Sequence, residues 1–154
     1  MAQETKPLNF LFESGSDGYE CFRIPALVST PGGSLLAFAE GRKNGCSDTG
    51  DIDLVMKRSE DFGRSWSALQ VIRDDGDRVC GNPAPVVDAI TGTIHLLSTW
   101  NLGEDHESEI IDGTSKDTRR VFVMSSSDDG LSWTEPLEIT ASVKPENWTW
   151  YATG

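Results

Sequence analysis

The chain has 154 residues, with 13 lysines and arginines against 25 aspartates and glutamates, and a formal net charge of −12 at pH 7. Its 37% hydrophobic residues are enough for one folded core, which excludes a wholly disordered chain. The acidic balance argues against nucleic acid as a partner. No apolar run approaches the roughly 20 residues of a membrane-spanning helix.

The start of the chain and its cysteines argue against several further features: a signal peptide, a disulfide framework and a zinc site. Residues 1–6 have no apolar h-region, so the sequence predicts no signal peptide. Cys21, Cys46 and Cys80 are too few for a disulfide framework and lack the spacing of a zinc site. No glycine-rich phosphate loop is present, and the motifs described below imply neither a metal nor an organic cofactor.

The order of short segments predicts an all-β fold. Glycine and proline pairs separate short apolar or alternating runs, which is typical of strands joined by turns. Pro25 favours an extended Ile24, so residues 22–25 are predicted as a strand with Arg23 facing away from Phe22 and Ile24. The further predicted strands are 35–39 (buried on both faces), 52–57 (half-buried), 68–72, 85–87, 93–97, 121–124 and 137–139.

Polar residues follow the strand at residues 35–39. Glu40 and Arg42 come directly after it, and residues 43–51 form a polar loop that contains Asp48. Functional groups are often found at strand ends and on the loops that follow, so Arg42 and Asp48 are candidates to face each other. An aspartate near arginines is usually an ion pair, whereas a general acid needs a partly desolvated carboxyl. The sequence leaves both roles open.

One motif occurs twice, at residues 59–66 and 126–133, with the shared frame Ser-x-Asp-x-Gly-x-x-Trp. A turn explains it, because the aspartate can accept backbone N–H groups, the glycine can take positive φ and the indole can cover the turn. Four positions that match twice indicate repeated strand–turn–strand units. We assign a structural role to Ser59, Asp61, Gly63, Trp66, Ser126, Asp128, Gly130 and Trp133.

Together these motifs resemble the N-terminal part of an exo-α-sialidase (neuraminidase) of the Asp-box, six-bladed propeller superfamily. The resemblance rests on residues 22–25, on residues 37–42, on an aspartate six residues after Arg42 and on the two Asp boxes. It implies a β-propeller, of which residues 1–154 hold roughly the first two blades and the start of a third, after a lead-in at 1–18. It also implies a retaining exo-α-sialidase that acts on terminal α-linked sialic acid of glycans.

The resemblance implies roles for three charged residues. Arg23 resembles the first of three arginines that bind the substrate carboxylate, a task that suits charge-assisted bidentate bonds. Asp48 resembles the acid/base residue that protonates the glycosidic oxygen. Arg42 resembles an additional arginine near C4 of the sugar.

Four further residues receive roles in the same way. Glu40 is expected to orient an arginine from behind. Asn82 stands where many bacterial members have aspartate, beside the N-acetyl pocket. Trp100 belongs either to the wall of that pocket or to the core. Tyr151 is expected near the substrate, but it does not match the nucleophile.

The active site of family members contains further residues that lie later in their sequences. These are two more arginines, the nucleophilic tyrosine and its glutamate partner. We therefore expect this chain to be inactive alone. A noncatalytic Asp-box propeller that binds glycan or protein is the alternative; it explains the repeats but not Arg23 together with Asp48. The resemblance to bacterial members favours a secreted or periplasmic location, and the oligomeric state stays open.

Overall fold

The computed structural model describes residues 10–150. Its backbone forms two antiparallel meanders of four strands, joined by one parallel bridge between Ile52 and Val79. The first meander consists of β1 (Cys21–Ser29), β2 (Leu35–Arg42), β3 (Ile52–Ser59) and β4 (Gln70–Arg73). The second consists of β5 (Arg78–Val87), β6 (Ile94–Leu102), β7 (Arg120–Ser126) and β8 (Leu137–Glu138). Each of the eight predicted strands overlaps one of these, so the all-β prediction is confirmed.

The main core lies between the two meanders. Phe38 and Met56 from the first meander are buried in one cluster with Leu96 and Met124 from the second. Strand β2 is almost entirely buried, as its continuous apolar run predicts. The half-buried prediction for residues 52–57 is wrong, because β3 lies inside the sheet and Ile52, Asp53, Leu54, Val55 and Met56 are all buried.

Two short helices accompany the sheet. Helix α1 (Glu107–Asp112) lies in the connection between β6 and β7, and helix α2 (Thr140–Val143) follows β8. A capping box between His106 and Glu109 begins α1, and Gly113 ends it in the left-handed conformation at φ 72°. No helix within residues 10–150 has the length and apolar character needed to cross a membrane.

The first strand of each meander carries the same bulge. The pairing of β1 with β2 shifts between Arg23 and Ala26, and the pairing of β5 with β6 shifts between Gly81 and Ala84. In both places the residue before a proline has positive φ: Ile24 at 52° and Asn82 at 50°. The extended conformation predicted for Ile24 is therefore wrong.

The reason is the bulge itself. Proline disfavours the helical region for the residue before it and favours an extended conformation, but the register shift overrides this preference. An inserted residue can then take the left-handed region, where a β-branched side chain is a clear outlier. Such strained positions concentrate at functional sites and need support from the surrounding structure.

Candidate active site

A cavity of about 210 Å³ opens where β1, β3 and β5 begin and where β2 and β6 end. Five residues singled out from the sequence line it: Arg23, Glu40, Arg42, Asp48 and Asn82. Helix α1 contributes Glu107 and Ile110 to the wall. The bulges position two of these residues, since Arg23 and Asn82 are each part of a register shift at the start of their strand.

Arg42 is the buried anchor of the cavity, with 3% of its side chain exposed. Its guanidinium donates to Glu40 Oε2 from Nε at 3.1 Å and from Nη2 at 2.5 Å. The other oxygen, Glu40 Oε1, accepts the backbone N–H of Asn82 at 2.8 Å. Glu40 therefore connects Arg42 to the second meander.

Gly81 makes this connection possible. A Cβ atom at position 81 would lie 2.7 Å from Glu40 Oε1 and 3.4 Å from its carboxyl carbon. Only a residue without a side chain lets the β5 backbone approach the carboxylate this closely. The family resemblance predicted that Glu40 orients an arginine, but it did not predict the backbone of β5 as a partner.

Asp48 is the exposed member of the group, with 59% of its side chain accessible. Its Oδ1 accepts from Arg23 Nη1 and from Arg42 Nη2, each at 2.8 Å. The structure thus brings together Arg23, Arg42 and Asp48, which the sequence placed 25 or fewer residues apart. Two guanidinium groups and one carboxyl meet at the cavity opening.

The loop that carries Asp48 is tied to β1 by a disulfide between Cys21 and Cys46. The cysteine count predicted no disulfide framework, and this single bond was missed. Each bonded cysteine stands two residues before a site residue, Arg23 or Asp48, but nothing in the sequence pairs the two cysteines. Cys80 is a free, buried thiol, and burial raises its pKa to about 12.

Arg119 is a cavity residue that the sequence reasoning missed entirely. It is 7% exposed, and its Nη2 donates to Asn82 Oδ1 at 2.6 Å and to Thr99 Oγ1 at 3.0 Å. Its guanidinium carbon lies 4.0 Å from the ring centroid of Trp150. Burial lowers the pKa of Arg119. No motif distinguishes it from Arg120, so only the fold reveals it.

The structure describes one of the two aromatic candidate residues, Trp100, but not the other, Tyr151. Trp100 is 8% exposed and belongs to the core cluster, with its Nε1 donating to Asp75 Oδ2 at 2.6 Å. Among the described residues it is not part of the cavity lining, so the structure places it in the core. Tyr151 lies outside the described residues, and its placement near substrate stays a prediction.

Three carboxylates converge behind the loop, from Asp51, Asp53 and Asp74, with oxygens within 4.8 Å of one another. Lys43 Nζ lies 3.0 Å from both Asp51 and Asp53 and 3.5 Å from Asp74. Burial opposes its charge, but hydrogen bonds to Asp51 and Asp53 outweigh this and raise the pKa of Lys43. The lysine thus supplies the cation of this cluster.

Comparison with known proteins identifies the fold and the family. A family described as "BNR repeat-like domain" matches residues 33–154. The chain belongs to this family. It is 36% identical to an exo-alpha-sialidase of Aspergillus fumigatus, over 89% of this chain and 38% of the relative, and 34% identical to human sialidase-4, over 94% of this chain and 31% of the relative.

A solved structure gives the same result. The chain matches Hadza microbial sialidase Hz136 with a TM-score of 0.78 and 31% identity, covering 88% of this chain and 29% of that one. The resemblance to sialidases and the propeller fold class are confirmed, and the two meanders correspond to propeller blades. The chain spans about a third of the length of the relatives it matches.

Proposed function

We propose that these residues form part of the active site of a retaining exo-α-sialidase, which releases terminal α-linked sialic acid from glycans. The convergence of Arg23, Arg42 and Asp48 on one cavity carries the proposal. Guanidinium groups suit an anionic sugar, because charge-assisted bonds recognise its carboxylate. The similarity to sialidases from fungi and human supports the same activity.

Each residue receives one task in this proposal. Arg23 binds the substrate carboxylate, which competes with Asp48 for the same guanidinium donors. Arg42 contacts the sugar near C4 while Glu40 positions it. Asn82, held by Arg119, faces the N-acetyl side of the sugar.

Asp48 acts as general acid and then as general base. It gives its proton to the glycosidic oxygen as the bond from that oxygen to the anomeric carbon breaks. A tyrosine supplied from outside these 154 residues attacks the anomeric carbon and forms the covalent intermediate, while its phenolic proton passes to the glutamate partner that the family resemblance implies. The neutral tyrosine avoids repulsion with the substrate carboxylate. The Asp48 carboxylate then takes a proton from the water that attacks the intermediate, and the bond to the tyrosine breaks as the tyrosine recovers its proton from the glutamate.

The test uses the longest natural polypeptide that contains this sequence. Asp48→Ala should lower turnover of a sialoside with a sugar leaving group by roughly 10²–10⁴-fold, the usual effect of losing general acid catalysis. An activated aryl sialoside should lose much less, since its leaving group needs little protonation. Asp77→Asn is the control, because Asp77 is a loop aspartate whose side chain is 94% exposed. Equal losses on both substrates would contradict the role of Asp48.

The alternative is a noncatalytic propeller that binds glycan or protein. The same assay separates the two functions. A wild-type polypeptide that binds sialosides but releases no sialic acid from either substrate would favour the binding module. Release of sialic acid that depends on Asp48 would exclude it.

A further inference from the structure

The Cys21–Cys46 disulfide is not needed to explain either the sheet or the core. It joins the first residue of β1 to the middle of the loop at residues 43–51. Cys21 is 4% exposed, whereas Cys46 is exposed on the loop. The bond therefore attaches a solvent-facing loop to a buried strand.

The position of the bond relates it to the proposed acid. Cys46 stands two residues before Asp48, and Cys21 stands two residues before Arg23. The base of the loop is closed by a backbone bond from Lys43 N to Asp51 O at 3.1 Å and by the Lys43–Asp51 ion pair at 3.0 Å. Near the tip, Arg42 Nη1 donates to the carbonyls of Cys46 at 2.9 Å and Ser47 at 2.5 Å.

The remaining contacts of Asp48 weaken during the proposed reaction. A substrate carboxylate on Arg23 competes for the donor that now holds Asp48 Oδ1 at 2.8 Å. A protonated Asp48 also loses its charge, and with it the attraction to both guanidinium groups. When Asp48 is protonated, its own contacts to the two arginines are therefore weakest. The Cys21–Cys46 disulfide and the Arg42 bonds to the carbonyls of Cys46 and Ser47 do not depend on the charge of Asp48, and of these contacts the disulfide is the covalent one.

We propose that the Cys21–Cys46 disulfide positions Asp48 for proton transfer, and that reducing it impairs the acid step selectively; this inference rests on the proposed sialidase function. Reduction removes the covalent link to β1 and leaves the loop tip held by non-covalent contacts such as the Arg42 hydrogen bonds, while the sheet keeps its own hydrogen bonds. A displacement of about 1 Å in a catalytic group can lower a rate by up to 10²-fold. Full activity would then require an oxidising environment.

The experiment measures kcat and KM on two sialosides, one with a sugar leaving group and one with an activated aryl leaving group. It uses the longest natural polypeptide that contains this sequence, as wild type and as the double variant Cys21→Ser, Cys46→Ser. We expect the variant to lose roughly 10–100-fold in kcat on the sugar substrate. On the aryl substrate kcat should change by less than about threefold, because little proton donation is needed.

Treatment with dithiothreitol gives a second route that does not depend on the variant folding. Reduction of the wild type should reproduce the loss on the sugar substrate, and reoxidation should restore it. Cys80→Ala should keep this sensitivity to reductant, since its thiol is buried and unpaired. The double variant should have lost the sensitivity.

Each outcome decides the inference. A selective loss on the sugar substrate supports it. Equal losses on both substrates, with a lowered melting temperature, would show that the bond only stabilises the fold. Unchanged kinetics after complete reduction would also overturn it. A wild type that is inactive on both substrates would refute the sialidase function itself, a result distinct from the other two.

Discussion

The two Asp boxes have nearly the same internal hydrogen bonds and backbone conformation, but they pack against different neighbours. In each box the first serine donates to the aspartate, at 2.9 Å in the first and 2.8 Å in the second. The same serine accepts the glycine N–H at 2.8 Å and 2.9 Å. The residue before the glycine has φ of 62° in both, although it is Phe62 in one box and Asp129 in the other.

The second box is built into the contact between the two meanders. Asp129 Oδ2 accepts from Ser34 Oγ and from Arg58 Nη2, each at 2.5 Å, and both donors belong to the first meander. Trp133 meets Phe38 edge-on, with ring centroids 5.9 Å apart. A Cβ atom at Gly130 would lie 2.1 Å from Leu36 Cδ2, so the turn packs directly on the first meander.

The first box is more open. Phe62 is 76% exposed, and Trp66 lines a surface depression together with Arg58 and Gln70. The same eight-residue motif therefore forms the same turn in two settings. The comparison shows that local sequence determines the geometry of the turn, whereas the neighbouring meander determines how closely the turn is packed.

The largest expected effect concerns the two tryptophans. Trp133→Ala should lower the free energy of unfolding of this chain by about 3 kcal/mol, and Trp66→Ala by roughly half as much. The reason is that Trp133 loses packing against the core, while Trp66 loses contacts at the surface. Urea unfolding followed by circular dichroism measures both. Losses of equal size would show that the indole acts only within its own turn.

A smaller difference is expected at the residue before the glycine. Asp129→Ala removes the carboxylate that accepts from Arg58 Nη2 and Ser34 Oγ, and should cost about 2 kcal/mol, since the Arg58 side chain is only 11% exposed. Phe62→Ala is the matched control, because it places alanine at the same φ of 62° and removes an exposed ring. Its free energy of unfolding should change by about 0.5 kcal/mol or less. If the two variants lost the same amount, the contact between the meanders would be irrelevant.

The smallest effect is a pH dependence that the two boxes should share. Hydrogen bonds from Ser65 lower the pKa of Asp61 from 3.8 to about 2, and those from Ser132 lower the pKa of Asp128 equally. Because the folded pKa values are depressed, the stability they contribute is complete above about pH 4 and is lost as the pH falls towards 2.

Melting temperatures between pH 7 and pH 2 test this dependence. Asp61→Asn and Asp128→Asn should each melt below the wild type at pH 7, and the gap should close towards pH 2. Glu135→Gln, at an exposed position beside the second box, serves as the control. A gap that stays constant down to pH 2 would mean that these carboxylates do not stabilise the fold through their charge.

The candidate site likewise contains some residues that short motifs predict and others that only the fold brings into it. Arg42 and Asp48 were candidates because they follow the end of a predicted strand, and the role of Arg23 was predicted from the family resemblance of residues 22–25. Arg119 was missed, because it is distant from Asn82 in the sequence and contacts it only through the folded connection between β6 and β7. Trp100 had two predicted places, and no local pattern separates a core tryptophan from one that lines a pocket.

By itself the sequence determined the eight strands and the two Asp-box turns, and its motifs carried the family resemblance that predicted the residues at the mouth of the cavity. The strands and turns depend on side-chain alternation and on turn-forming residues, which act over a few residues. The tertiary structure alone decided the left-handed φ of Ile24, the burial of β3 and the bond between Cys21 and Cys46. Each of these arises from contacts between segments distant in the chain, which no local pattern encodes.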